Sequence, residues 1–162
     1  MNTLLLGVGN LLLSDEGVGV RAIEALERRF IFPDNVVLQD GGTSGMELLE
    51  VMAGRDLIIV VDAVRSDNEP GSLFMLENEE VPAFFSQRLS PHQLGLADVL
   101  MALRLTDEFP KHLLLLGIEP ASLAPGMTLS PVVEQAMETA LDQVIRLLSQ
   151  SGITVHAQEM SA

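Results

Sequence analysis

The run Leu57-Ile58-Ile59-Val60-Val61-Asp62 decides the fold. An unbroken aliphatic stretch with no polar alternation predicts a strand covered on both faces, as in a parallel sheet sandwiched between helices. Working outward, Leu4 to Gly7 and Leu113-Leu114-Leu115-Leu116-Gly117-Ile118 read the same way, and Val36 to Leu38 is a short strand ending at Asp40. Helical patterns lie between them. From Asp15 to Phe30, Val18, Ala22, Leu26 and Phe30 recur every fourth residue, which marks one face of a helix. Ser44-Gly45-Met46-Glu47 has the form of a capping box and predicts a short helix stopping near Gly54. Ser90-Pro91-His92-Gln93 places an N-cap serine, a proline at the first helical position and a glutamine three after the cap, opening a helix to about Leu105. Ser130-Pro131 opens a last helix ending near Ser149.

Residues 65–71 read as a turn, Ser72 to Leu76 as an edge strand, and Glu77 to Leu89 as an acidic, irregular stretch with an exposed Phe84-Phe85 pair. The tail after Val155 is expected to fray. There are no repeats, low-complexity tracts or linkers. The alternation predicts one α/β domain over residues 1–162: a mostly parallel, twisted sheet of about five strands with helices on both faces.

Composition narrows the function. The chain has 162 residues and is 48% hydrophobic, which supplies a substantial core. Its net charge of -14 argues against nucleic acid and anionic membranes and favours a protein partner with a basic patch, although acidity also serves solubility alone. There is no cysteine, which removes disulfides, thiolate metal sites and a cysteine nucleophile. No basic leader precedes Thr3-Leu4-Leu5-Leu6-Gly7, and a cytoplasmic, monomeric protein is expected.

In open α/β sheets ligands bind beyond the carboxyl ends of the strands, where strand order reverses. Asp15, Glu16, Asp40, Asp62 and Glu119 all follow strands, and His92 opens a helix at the same edge. Glu16, Asp62 and His92 together make an incomplete metal shell of two oxygen donors and one imidazole, with positions left for another ligand. Each has a simpler reading: helix-dipole capping for Glu16, a turn former for Asp62, a surface histidine for His92. Gly7-Val8-Gly9-Asn10 lacks the third glycine of a dinucleotide loop, and a tight turn explains it better. No His-Glu-x-x-His is present, and Gly42-Thr43-Ser44-Gly45 is not a nucleophile elbow.

These blocks together resemble the nickel–iron hydrogenase maturation proteases over nearly the full length. The resemblance rests on Gly7-Val8-Gly9-Asn10 with Asp15-Glu16 and Gly19-Val20, on Asp40-Gly41-Gly42-Thr43, on Asp62-Ala63, and on Ser90-Pro91-His92-Gln93. The stretch from Ser90 to Asp98 is most similar to members serving uptake-type hydrogenases. The resemblance implies an α/β endopeptidase that removes a C-terminal extension from the hydrogenase large-subunit precursor after metal insertion. It implies Glu16, Asp62 and His92 as metal ligands, nickel carried by the substrate as the metal, and a role for Asp40, Gly41, Gly42 and Thr43 in recognition or cleavage. Asp40 is then a candidate general base. Other divalent ions are expected to occupy the same ligands in vitro. Two other readings remain at this point: a non-enzymatic chaperone inspecting the same precursor, and a small-molecule binding domain using the Gly7–Asn10 turn.

Overall fold

A computed structural model describes residues 1–87 and 90–158. Five strands form the main sheet: β1 (Thr3–Val8), β3 (Val36–Gly42), β4 (Leu57–Ala63), β5 (Leu73–Glu77) and β6 (His112–Ile118), in the order β3-β1-β4-β6-β5. β3, β1, β4 and β6 run parallel, and β5 closes the edge antiparallel to β6. The predicted class, strand number and edge strand are all present.

Strand alternation assigns the two faces. Leu57, Ile59, Val61 and Ala63 of β4 join Leu5, Leu116 and Ile118 under α1 (Val18–Arg29) and α5 (Pro131–Gln150). Ile58 and Val60 join Leu4, Leu6, Val8, Leu113 and Leu115 on the opposite face, under α2 (Leu49–Met52), α3 (Glu80–Phe85) and α4 (Pro91–Leu105). Asp62 continues the parity of Ile58 and Val60, so its side chain leaves the strand towards α4. That single fact of register places the site.

α1 lies close to the sheet because glycine lets it. A Cβ on Gly19 would stand 2.1 Å from the Val61 carbonyl oxygen and 2.5 Å from that of Val8, and one on Gly7 would stand 2.2 Å from the Gly19 oxygen. Among the described residues no helix is long and apolar enough to cross a membrane.

Several local expectations need correction. Glu77 to Leu89 is not irregular over its described part, because α3 occupies Glu80–Phe85. Phe85 is fully buried rather than exposed, since α3 turns it into the core beneath α4. Arg88 and Leu89 lie outside the described residues. The helix expected from Asp15 begins as a 3-10 turn at Ser14–Gly17 before α1. The expected capping box at Ser44 is not made. The Glu47 carboxylate instead accepts from the Gly45 N–H at 2.9 Å, one residue later than the pattern requires. The tail does not fray at once: β7 (His156–Ala157) pairs antiparallel with β2 (Phe30–Ile31), giving both short segments backbone partners. Residues 159–162 lie outside the described residues.

Candidate functional site

β1 and β4 are neighbours, yet the chain leaves them in opposite directions, towards β3 and towards β6. The carboxyl ends of these two strands are therefore the switch point at which a ligand crevice opens. Four elements deliver side chains to it. β1 ends in a turn that passes Gly9, whose φ of +129° suits glycine and whose added Cβ would stand 1.9 Å from the Glu16 carbonyl oxygen. The Gly7–Asn10 block is thus the tight turn expected, and it brings the backbone of Glu16 back against the strand end. Asp62 comes from β4, His92 and Gln93 from the first turn of α4, and Arg65 from the loop after β4.

The structure brings Glu16, Asp62 and His92 together. The imidazole lies between the two carboxylates: its Nε2 is 3.2 and 3.3 Å from the Asp62 oxygens, and its Nδ1 is 3.1 Å from Glu16 Oε1. The Ser90 hydroxyl lies 2.8 Å from the same Nδ1. Ser90 is the N-cap residue of α4, as the sequence predicts, but its hydroxyl serves the histidine instead of the helix end. With its two nitrogens turned to different carboxylates, the ring bridges the cluster. Among the described residues no three such side chains form a ready-made metal shell.

Asp62 and His92 are buried, and Glu16 keeps only 12% of its side chain exposed. Burial pushes Glu16 up to about 7, with the His92 charge opposing and the Asp62 charge adding to the rise. Burial likewise raises Asp62 against the opposing hydrogen bond and charge of His92 and the hydrogen bond from Gln93. For His92 burial works the other way, yet the Asp62 hydrogen bond and the charges of Asp62 and Glu16 outweigh it and leave the imidazole above its usual value. Two carboxylates and one imidazole therefore share protons in a desolvated pocket. Two carboxylates and an imidazole are donors that divalent cations accept, so these residues fit one by charge and donor type.

Sequence reasoning missed Gln93 and Arg65. Gln93 Nε2 donates to Asp62 Oδ2 at 2.8 Å and to the Ala63 carbonyl at 3.1 Å, so it orients the buried carboxylate and does not cap the helix. Its position beside His92 on a helix opening at the strand edge was the available signal. Arg65 stands with Glu16, Gln93, Ser90, Pro120 and Leu123 around a cavity of about 360 Å³, and its charge acts on Glu16. Glu119 is taken up structurally: its Oε1 accepts from Ser66 N–H (2.8 Å), Ser66 Oγ (2.9 Å) and Asn68 N–H (3.1 Å), which fixes the loop that carries Arg65. Asp15 does the same for the opposite wall. It is buried and accepts from the N–H groups of Ala121, Ser122 and Ser130 and from Ser130 Oγ. Burial alone would raise Asp15, but these bonds hold it below the usual carboxylate range.

Asp40 does not join the cluster. It is level with Gly7 of β1, which is level with Val61 of β4, so two strand spacings of about 10 Å in total separate it from the end of β4. Its parity is that of Val36, on the α1 face, and its exposed carboxylate accepts from the Gly42 N–H at 2.9 Å. Gly41 is buried, Gly42 has a φ of +49° and Thr43 is exposed. Beyond the box the chain meets α4 at Gly45, where an added Cβ on Gly95 would stand 3.1 Å from the Gly45 Cα.

Comparison with known proteins places this α/β fold in a family. The family model HycI, described as hydrogenase maturation protease, matches residues 20–147. The chain belongs to that family. The Hydrogenase 2 maturation protease of Escherichia coli (strain K12) is 56% identical over 160 residues, spanning 98% of each chain. The hydrogenase expression/formation protein HupD of Thiocapsa roseopersicina is 39% identical over 98% of this chain and 72% of its own length. Among solved structures, the hydrogenase maturating endopeptidase HybD from E. coli superimposes with a TM-score of 0.95 at 55% identity over 98% of both chains. HybD from Thermococcus kodakarensis does so with a TM-score of 0.74 at 27% identity, covering 91% of this chain and 99% of its own. The protein is a hydrogenase maturation endopeptidase.

The titration of the cluster has a sign that can be measured. Glu16 binds its proton more tightly folded than unfolded, so its contribution to stability falls as pH rises from about 4.5 to about 7. His92, also raised, contributes stability below about pH 6.5 that is lost as pH climbs through its folded value. The cation-free protein should therefore lose more melting temperature between about pH 5 and pH 8 than the Glu16→Gln variant does. Parallel pH profiles for the two proteins would show that Glu16 titrates normally.

Proposed function

We infer that this endopeptidase removes the C-terminal extension of a nickel-loaded hydrogenase large-subunit precursor as the last step of that subunit's maturation. The observation that carries this reading is the buried Glu16–His92–Asp62 cluster at the switch point. It offers two carboxylates and one imidazole to an ion, a set of three donors that leaves positions for ligands from the substrate. Nickel is then cargo of the substrate, presented to the cluster by the precursor, and other divalent ions bind the free protein weakly and exchangeably.

The chain's own residues divide the work. Glu16, Asp62 and His92 hold the ion. Gln93 and Ser90 fix the carboxylate and the ring that face it, as partners behind metal ligands do. Once bound, the ion supplies positive charge that polarises a peptide carbonyl or acidifies a water. Asp40 acts at the substrate as general base or orienting group. Its carboxylate is exposed, held in a turn by the Gly42 N–H, and set apart from the cluster on the substrate side. Gly41, Gly42 and Thr43 give the extended peptide a close backbone approach beside Asp40. The enzyme is thus metal-dependent through its substrate, with an aspartate in the chemistry, and works as a monomer in the cytoplasm.

The chaperone reading shares the ion-binding cluster but leaves Asp40 idle. Nickel-loaded and nickel-free precursor are mixed with chelator-treated enzyme, and the products are weighed by mass spectrometry. Loaded precursor should be shortened and empty precursor left intact. Equal cutting of empty precursor after added zinc would make this an ordinary metalloprotease, and binding without shortening would make it a chaperone. Asp40→Asn should bind loaded precursor normally and process it about 100- to 10,000-fold more slowly, and an unchanged rate would remove Asp40 from the chemistry.

A further inference from the structure

The stretch Ser90 to Asp98 is only half used by the site. Ser90, His92 and Gln93 face Asp62 and Glu16, and Leu96 enters the core. Leu94, Ala97 and Asp98 point the other way, into a groove of about 590 Å³ between α3 and α4. Pro82 and Ala83 of α3, with Ser86 just after it, form its second wall, and Phe109 closes the far end. Arg104 lies over the Phe109 ring, 3.8 Å from its centroid, and pairs with Glu79 across the groove.

The outer face of α4 is apolar where a solvent-facing helix should be polar. Leu94 is 40% exposed, Met101 64% and Leu105 80%. At about 100° per residue these three and Asp98 fall on one stripe, roughly 16 Å long. Scattered exposed hydrophobics are ordinary, but a stripe whose Leu94, Asp98 and Met101 line a concave groove, with Leu105 at its rim-ward end, marks an interaction surface. Its charge selects the partner. Arg104 is occupied by Glu79, while Asp98 is exposed and has no ion pair among the described residues, and Asp107 and Glu108 are exposed beyond the helix end. On a chain of net charge -14, this face attracts a basic partner.

The same helix carries both the groove and His92. Whatever seats on Leu94, Met101 and Leu105 is held within about 20 Å of the cluster and in fixed orientation to it. We propose that the α3–α4 groove is the docking surface for the body of the precursor, receiving a helix or ridge with apolar anchors flanked by lysine or arginine. Scission would then be directed by a surface remote from the cut bond. This inference rests on the proposed substrate. It adds a recognition surface outside the cleft, in keeping with remote binding energy that positions a reacting group.

The test is steady-state cleavage of purified nickel-loaded large-subunit precursor by wild type, Met101→Glu and Asp98→Lys, read by product mass, with melting temperatures alongside. Each variant should raise KM about tenfold or more while kcat stays within about twofold, because docking is lost and the reacting groups are untouched. The Asp98→Lys defect should shrink as salt rises, since salt weakens the wild-type attraction. If Met101→Glu melts early, Asp98→Lys decides, because it changes only an exposed helical position. Unchanged KM in a variant that folds overturns the groove. So does a wild type that dimerises in light scattering through Met101 while KM stays unchanged, which would make the groove a contact between copies. Failure of the wild type itself to shorten the precursor overturns the proposed function first, and the docking surface with it.

Discussion

A carboxylate at the end of a fully buried strand is the constraint on which the rest of this molecule depends. Asp62 follows five aliphatic residues, has no exposed surface, and faces the α4 side because strand parity sends it there. An unpartnered charge in that position would cost several kcal/mol. Gln93 and His92 relieve it, and both come from the first turn of α4. That helix must therefore begin where it does. Pro91 at its first position and Ser90 in extended conformation make the start abrupt enough to aim two consecutive side chains at one carboxylate.

The surrounding loops are fixed by two further buried acids, used in a different way. Asp15 gathers three N–H groups and a hydroxyl from the segment between β6 and α5, and Glu119 gathers two N–H groups and a hydroxyl from the loop after β4. Both are saturated by donors that carry no compensating charge, and so they hold the walls still. The cluster of Glu16, Asp62 and His92 is instead a set of titratable groups that face one another, each with its pKa raised. This contrast between saturated and unsaturated carboxylates separates scaffold from chemistry at one sheet edge.

Much of this was legible in the sequence. The aliphatic runs at Leu4, Leu57 and Leu113 are long and unalternating, so their burial on both faces follows from pattern alone. The edge location of Glu16, Asp62 and His92 follows from the alternation of strands and helices. What pattern could not show is where a polar side chain spends its hydrogen bonds. Ser90 and Gln93 have the spacing of helix caps, but Asp62, distant in sequence, outbids the helix end for Gln93, and the His92 ring claims Ser90. Ser44 is not a cap because the Glu47 carboxylate accepts from the Gly45 N–H, where a capping box needs that of Ser44. Phe85 was misread because the tertiary partner that buries it, α4, is invisible to a local window. Asp40 fell on the opposite face from Asp62 because facing depends on strand register, which sequence position alone does not give.

Nickel-edge X-ray absorption on the frozen complex of the Asp40→Asn variant with nickel-loaded precursor tests most directly whether the cluster reads the precursor's metal. Complex formation should add oxygen and imidazole-nitrogen scatterers at about 2.0–2.2 Å to the nickel shell of the free precursor. The added imidazole signal should vanish when His92→Ala is combined with Asp40→Asn. A nickel shell unchanged on binding would contradict the reading, and would leave Glu16, Asp62 and His92 as a buried structural network with no part in sensing the substrate's metal.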